Sequence, residues 1–294
     1  MSDVFAADRR SIENRLDEIC DARLTGIPTG VADAIRYGLK SPGKRIRPLL
    51  LLFAYRAAGG SGDATLLACA PEVIHAYSLI HDDLPCMDDD DMRRGRPTAH
   101  KVYGSRTAIV AGVAMVPLAA IVVRDGVSQL RLSERAGQAI NETLLGAGGA
   151  DGMIGGQQRD LAAEGMPLGI HDREAVHAAK TGALMLACVR MGALAADASQ
   201  ARIEALEHYG RSVGLAFQIM DDVLDVTSTT SEMGKTAGRD AVLGKSTYPA
   251  LLGVEGARSR AQTLVAEGLE SLRHHGMLTQ ELSRVANFMV TRTS

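Results

Sequence analysis

A chain of 294 residues, 46% of them hydrophobic, is long enough to bury a substantial core, and a net charge of −3 with 32 scattered basic residues excludes a basic stripe for nucleic acid or an anionic membrane. Cys20, Cys69, Cys86 and Cys188 lie far apart, with no CxxC pair and no secretory apolar segment in the opening MSDVFAADRR, so a disulfide framework and a zinc site are both disfavoured and a reducing cytoplasm is expected. Aromatic residues make up only 3%, with no Trp, while Ala, Leu and Met abound.

Helical spacing of apolar residues begins with IENRLDEICDARL and recurs through most of the chain. Loops are marked by SPGK at 41 and AAGGSGD at 57. The next helix, VIHAYSLI, runs into DDLPCMDDDD, where six of the ten residues from Asp82 to Asp91 are aspartates, answered by Arg93 and Arg94. Taken alone, such a run reads as a solvated acidic turn. Asp82 and Asp88 are six apart and would leave an ideal helix on different sides; Pro85 predicts a break that brings Asp88 back toward Asp82. Residues 107–123 form an uncharged stretch of 17, at the lower limit for a membrane span, with Pro117 inside it and no second span to accompany it, so a core or subunit-interface helix is expected and no membrane span. The glycines of GAGGADGMIGG, from 146, lack the spacing and the preceding strand of a dinucleotide loop and predict close helix packing instead.

A long helix over IEALEHYGRSVGLAFQIMDDVLDV places Asp221 and Asp225 one turn apart on one face, with Asp222 about 100° around. Carboxylates among such apolar flanks are costly without a compensating cation. A polar loop follows at 227–246, and a helix starts near Tyr248 and Pro249, with Lys245 a candidate cap for the loop before it. Strand patterns, internal repeats and linkers are absent, which predicts an all-α single domain over residues 1–294. Mg²⁺, which takes oxygen ligands and bridges carboxylates to substrate phosphates, is the economical counter-ion; Lys44, Arg47, Arg93, Arg94, Lys180, Lys235 and Lys245 are candidates for the remaining positive charge.

Two such motifs about 140 residues apart, set among PGKRIRP (42–48), HAYSLIHDD, DMRRGRPT, GGQQRDL (155–161), KTGAL (from 180), FQIMDD and GKSTYP (from 244), resemble the trans-isoprenyl diphosphate synthases in family order. The resemblance implies a bundle of roughly ten or more helices around a central cavity, a homodimer, and elongation of an allylic diphosphate by isopentenyl diphosphate with three Mg²⁺ per active site. It implies Asp82, Asp88 and Asp221 as principal metal ligands, supported by Asp83, Asp222 and Asp225, with Asp225 counted in the metal set. Arg93, Lys180, Thr181, Gln218 and Lys235 would hold the allylic diphosphate; Lys44, Arg47, His75 and Arg94 would hold isopentenyl diphosphate, and Lys245 adds to the substrate set.

The same resemblance makes Tyr77 and Ser78, five and four residues before the first motif, the floor that limits product length. Tyr77 and the enlarged first motif resemble farnesyl diphosphate synthases, whereas Val113, where many relatives carry Asp, and PGKRIRP resemble geranylgeranyl diphosphate synthases, so C15 and C20 both stand. Loss of a carboxylate at Val113 also leaves a noncatalytic subunit as a rival, and a class I terpene cyclase is another. Retention of the motif aspartates and of Lys44, Arg47 and Arg94 favours condensation over both.

Overall fold

The structure, a computed structural model, describes residues 5–163, 169–227 and 247–292. Lys235, Lys245 and most of the polar loop fall outside them. Helices dominate: α1 (Ala6–Arg23), α2 (Thr29–Leu39), α3 (Ile46–Ala57), α4 (Thr65–Asp82), α5 (Ala99–Tyr103), α6 (Ser105–Gln129), α7 (Glu134–Gly148), α8 (Met153–Ala162), α9 (Ile170–His177), α10 (Ala183–Ala195), α11 (Gln200–Thr227), α12 (Tyr248–His274) and α13 (Gln280–Thr291). A π-helical turn, Ala178–Gly182, joins α9 to α10. The all-α expectation holds, with a single two-residue ladder, β1 (Met92–Arg93) against β2 (Arg96–Pro97), among the described residues.

The chain forms two compact units, Met1–Leu52 with Gly62–Asn141, and Phe53–Ser61 with Glu142–Ser294. In the first, α4 packs on α6, flanked by α1, α2 and α5. Leu67, Val73, Ile74 and Ile80 of α4 are buried, each contributing about 1.5–3 kcal/mol relative to exposure. Gly126 of α6 permits that approach, since a Cβ there would stand 2.8 Å from the Leu67 backbone. The stretch 107–123 is therefore a packed helix on one face, while Ile109, Val110 and Val113 lie exposed on another. By length and composition 105–129 and 171–195 could each cross a bilayer; 44% and 61% of those windows are buried within the protein, and two such helices do not show a membrane span.

In the second unit α11 is the hub, packing on α10, α12, α13 and the π turn. Its Tyr209 is fully buried and donates to the Leu282 carbonyl of α13 at 2.8 Å, satisfying the hydroxyl. The start of α12 at Tyr248 agrees with the sequence reading, with Thr247 as N-cap accepting from the Ala250 amide at 3.4 Å. All four cysteines are free, and burial pushes the Cys20 thiol up to about 11.

Candidate active site

In the first unit α4 ends on Asp82, and the chain turns through Pro85 so that the Asp88 amide donates to the Asp82 carbonyl at 2.8 Å. Pro85 thus accounts for the return of Asp88 that the spacing required. Asp83 is buried and clasped by Arg93, whose Nε and Nη2 both approach Oδ1 at 2.6 Å; Arg93 Nη2 also lies 3.5 Å from Asp90. Burial raises the Asp83 pKa, outweighing the opposing pull of Arg93. Asp83 therefore anchors Arg93, while Asp82 and Asp88 are the pair gathered by the turn.

The arginine pair owes its placement to a hairpin. Arg94 (φ 53°) and Gly95 (φ 74°) form the two-residue loop between β1 and β2, both in the left-handed region that a type I′ turn needs. Arg94, the non-glycine member, is held by donating Nη1 to the Pro42 carbonyl at 2.6 Å, against Gly43 of PGKRIRP. Arg45 of the same motif is buried on Glu72 at 2.7 Å and on the carbonyls of Leu39 and Ser41, a structural arginine. Half-buried His75 has its pKa lowered well below the ordinary value, first by burial and then by Arg47, Arg94, Arg93 and Arg45. Of these arginines, Arg45 is already paired with Glu72 and Arg93 with Asp83. Lys44, next to Arg45 in sequence, is exposed.

Tyr77 is buried, its ring meeting His81 edge-on at 4.9 Å between centroids, and Ser78 Oγ donates to the His75 carbonyl at 2.9 Å. His81 fits because residue 112 is glycine: a Cβ there would lie 2.1 Å from its Nε2. Val113, next along α6, is exposed. Asp89, Asp91 and His100 bring ligand atoms within 4.8 Å of one another, an acidic group the sequence reading did not single out. Asp91 already pairs with Lys101 at 2.7 Å.

In the second unit, α11 presents Asp221, Asp222 and Asp225 in unequal settings. Asp222 is buried and accepts the Tyr248 amide at 3.0 Å, with His177 Nε2 at 3.5 Å and Arg173 Nη2 at 3.6 Å. Those contacts tie α11 to α9 and α12. Asp225 is also buried, whereas the Asp221 carboxylate is 44% exposed and pairs with Arg292 at 2.6 Å. Lys180 and Thr181 sit in the π turn, a helical irregularity that frequently marks functional sites. Lys180 Nζ donates to Asp160 at 2.6 Å, and Asp160 also accepts from Arg173 at 3.0 Å. Gly156 of α8 lets the π turn approach, as the glycine cluster predicted: a Cβ would stand 2.2 Å from the Lys180 amide nitrogen. Gln218 is half-buried on α11, one turn before Asp222. Asp160, Arg173, His177 and Arg292 were not singled out in the sequence; only Asp160, inside GGQQRDL, belonged to a motif noticed there.

The profile of the polyprenyl synthetase family matches residues 28–281. This chain belongs to that family. It is 44% identical over 269 residues to the farnesyl diphosphate synthase of Escherichia coli, covering 90% of each chain. It is 45% identical over 250 residues to geranylgeranyl pyrophosphate synthase 9 of Arabidopsis thaliana, covering 83% of this chain and 69% of that one. A solved geranyltransferase from Helicobacter pylori, complexed with magnesium and isoprenyl diphosphate, superposes with a TM-score of 0.81 at 30% identity, covering 99% and 97% of the two chains.

Proposed function

We propose that this polyprenyl synthetase is a Mg²⁺-dependent short-chain prenyltransferase that condenses isopentenyl diphosphate with allylic diphosphates of C5 to C15. The observation that carries the reading is the turn through Pro85, whose backbone hydrogen bond returns Asp88 to Asp82, together with a His75 held neutral first by burial and then by nearby arginines. The donor chemistry suits the metal: the candidate ligands are all carboxylates, Asp82 and Asp88 on one turn and, in the second unit, Asp221 part-exposed on α11. Mg²⁺, proposed at three per active site, would supply charge neutralisation for the departing diphosphate.

Asp82, Asp88, Asp221 and Asp225 are the residues that would hold the metal, and Asp83 and Asp222 support the two motifs by anchoring Arg93 and α11. Arg93, Lys180, Thr181, Gln218 and Lys235 bind the allylic diphosphate and draw off charge as its C–O bond ionises. Lys44, Arg47, His75 and Arg94 fix isopentenyl diphosphate; neutral His75 donates a hydrogen bond there without adding charge, and Lys245 completes the substrate set. The isopentenyl double bond attacks the allylic cation, and a proton then leaves to the released diphosphate, so no nucleophilic side chain is needed.

Tyr77 and Ser78 are proposed as the floor for product length, with C20 as the product and C15 as the alternative. The chain is proposed to act as one domain in a homodimer, supported by the exposed apolar face of α6 at Ile109, Val110 and Val113. Its cysteine usage suits a cytoplasmic compartment. A terpene cyclase or noncatalytic subunit is less favoured, because the basic cluster supplies a second diphosphate site and every motif aspartate is present. Substituting Asp82→Ala and Asp221→Ala tests the assignment: each removes most turnover at saturating Mg²⁺ while melting stays near that of the parent. Near-normal rates in either variant would sink it.

A further inference from the structure

The first aspartate of DDVLD is held by a cation of the chain itself. Arg292, which closes α13, donates Nη2 to Asp221 Oδ1 at 2.6 Å and to the Phe217 carbonyl at 2.8 Å. Its guanidinium carbon lies 3.9 Å from the centroid of the Phe217 ring. The Arg292 side chain is only 6% exposed, and its Nε is buried without a hydrogen-bond partner. An arginine stacked on a ring, sharing one nitrogen between a carbonyl and a carboxylate, is fixed far more firmly than a surface ion pair. Such an arginine, unlike a lysine, cannot shed its proton to make way.

A divalent ion arriving at Asp221 meets a full positive charge already seated on one of the two carboxylate oxygens. Like charges at that separation repel, and with the Arg292 side chain buried the repulsion is only partly screened, from the exposed side of Asp221. Resting on the reading of Asp221 as a metal ligand, we infer that Arg292 is a placeholder cation: it occupies Asp221 before loading and is exchanged for Mg²⁺ when metal and diphosphate bind. The exchange keeps the carboxylate compensated in both states. It also couples the end of α13 to the occupancy of the second aspartate motif.

The test is binding of Mn²⁺, followed by the electron-paramagnetic signal of the free ion, to the full chain with and without inorganic diphosphate. Arg292→Gln is expected to tighten Mn²⁺ binding in the absence of diphosphate, by on the order of three- to tenfold. Arg292→Lys, which keeps the charge, stays within about twofold of the parent, as its ammonium still opposes the metal. In an Asp221→Asn background the Arg292→Gln effect vanishes, because the shared carboxylate is gone. Should Arg292→Gln fail to fold, Phe217→Leu loosens the stacking while keeping every charge, and a smaller tightening is expected. Unchanged or weaker Mn²⁺ binding in the folded Arg292→Gln or Phe217→Leu protein, with Asp221→Asn weakening it, overturns the placeholder role alone. Unchanged binding in Asp221→Asn overturns the metal-ligand reading beneath it.

Discussion

Replacing Gly156 with alanine offers a sharp test of how the π turn carries Lys180 and Thr181. The added Cβ would stand 2.2 Å from the Lys180 nitrogen, 2.5 Å from its Cα and 2.7 Å from the Ala179 carbonyl carbon. All three atoms are backbone, so no side chain can rotate away, and α8 and the π turn must part by ~1 Å to reach ordinary contact. Overpacking of that kind costs about 1–3 kcal/mol, or roughly 2–5 °C in Tm for a protein of this size. Displacement of Lys180 also strains its 2.6 Å bond to Asp160, and a misplacement of ~1 Å in a positioning group costs on the order of 100-fold in rate. The assay is steady-state kcat and KM for the allylic diphosphate beside a melting curve. Gly146→Ala, a helical position with nothing within 4 Å of the new Cβ, is the control and is expected to be neutral or slightly stabilising. If Gly156→Ala keeps full kcat/KM and the parent Tm, the close approach does not position the π turn, and the argument fails.

Asp222→Ala should behave unlike Asp221→Ala: it removes a buried acceptor of the Tyr248 amide between His177 and Arg173, so a loss of about 3–5 kcal/mol in stability is expected by denaturant titration. A stable, merely inactive Asp222→Ala protein would make that residue a metal ligand rather than an anchor. Tyr77→Ala should lengthen the product by at least one C5 unit, read by chromatography of the products; a packing role alone predicts unchanged length with a loss of about 3–5 kcal/mol.

Much of the site was legible because its geometry is local. Pro85 lies just past the end of α4, and the five residues between Asp82 and Asp88 close into a turn. Gly156 spoke for close packing because its neighbours in the glycine cluster excluded a nucleotide loop, and Tyr248 with Pro249 marked the start of α12. Long-range pairing was not legible. Nothing local to Arg292 points to Asp221, 71 positions earlier, and Arg173 and His177 read as ordinary residues of a short polar helix until α9 packs against α11. The inequality of Asp221 and Asp222 has the same origin: a 100° step around α11 decides which carboxylate turns inward, but only the partners on α9 and α12 make that one a structural anchor.

The central claim is chain elongation, and its most direct test is product analysis of the purified chain given Mg²⁺, isopentenyl diphosphate and, in turn, dimethylallyl, geranyl and farnesyl diphosphate. The account predicts linear all-trans prenyl diphosphates ending at C20 or C15, with one inorganic diphosphate released per C5 unit added and no product once Mg²⁺ is chelated. Cyclic hydrocarbons formed without isopentenyl diphosphate, or no incorporation of isopentenyl units with any primer, would contradict it.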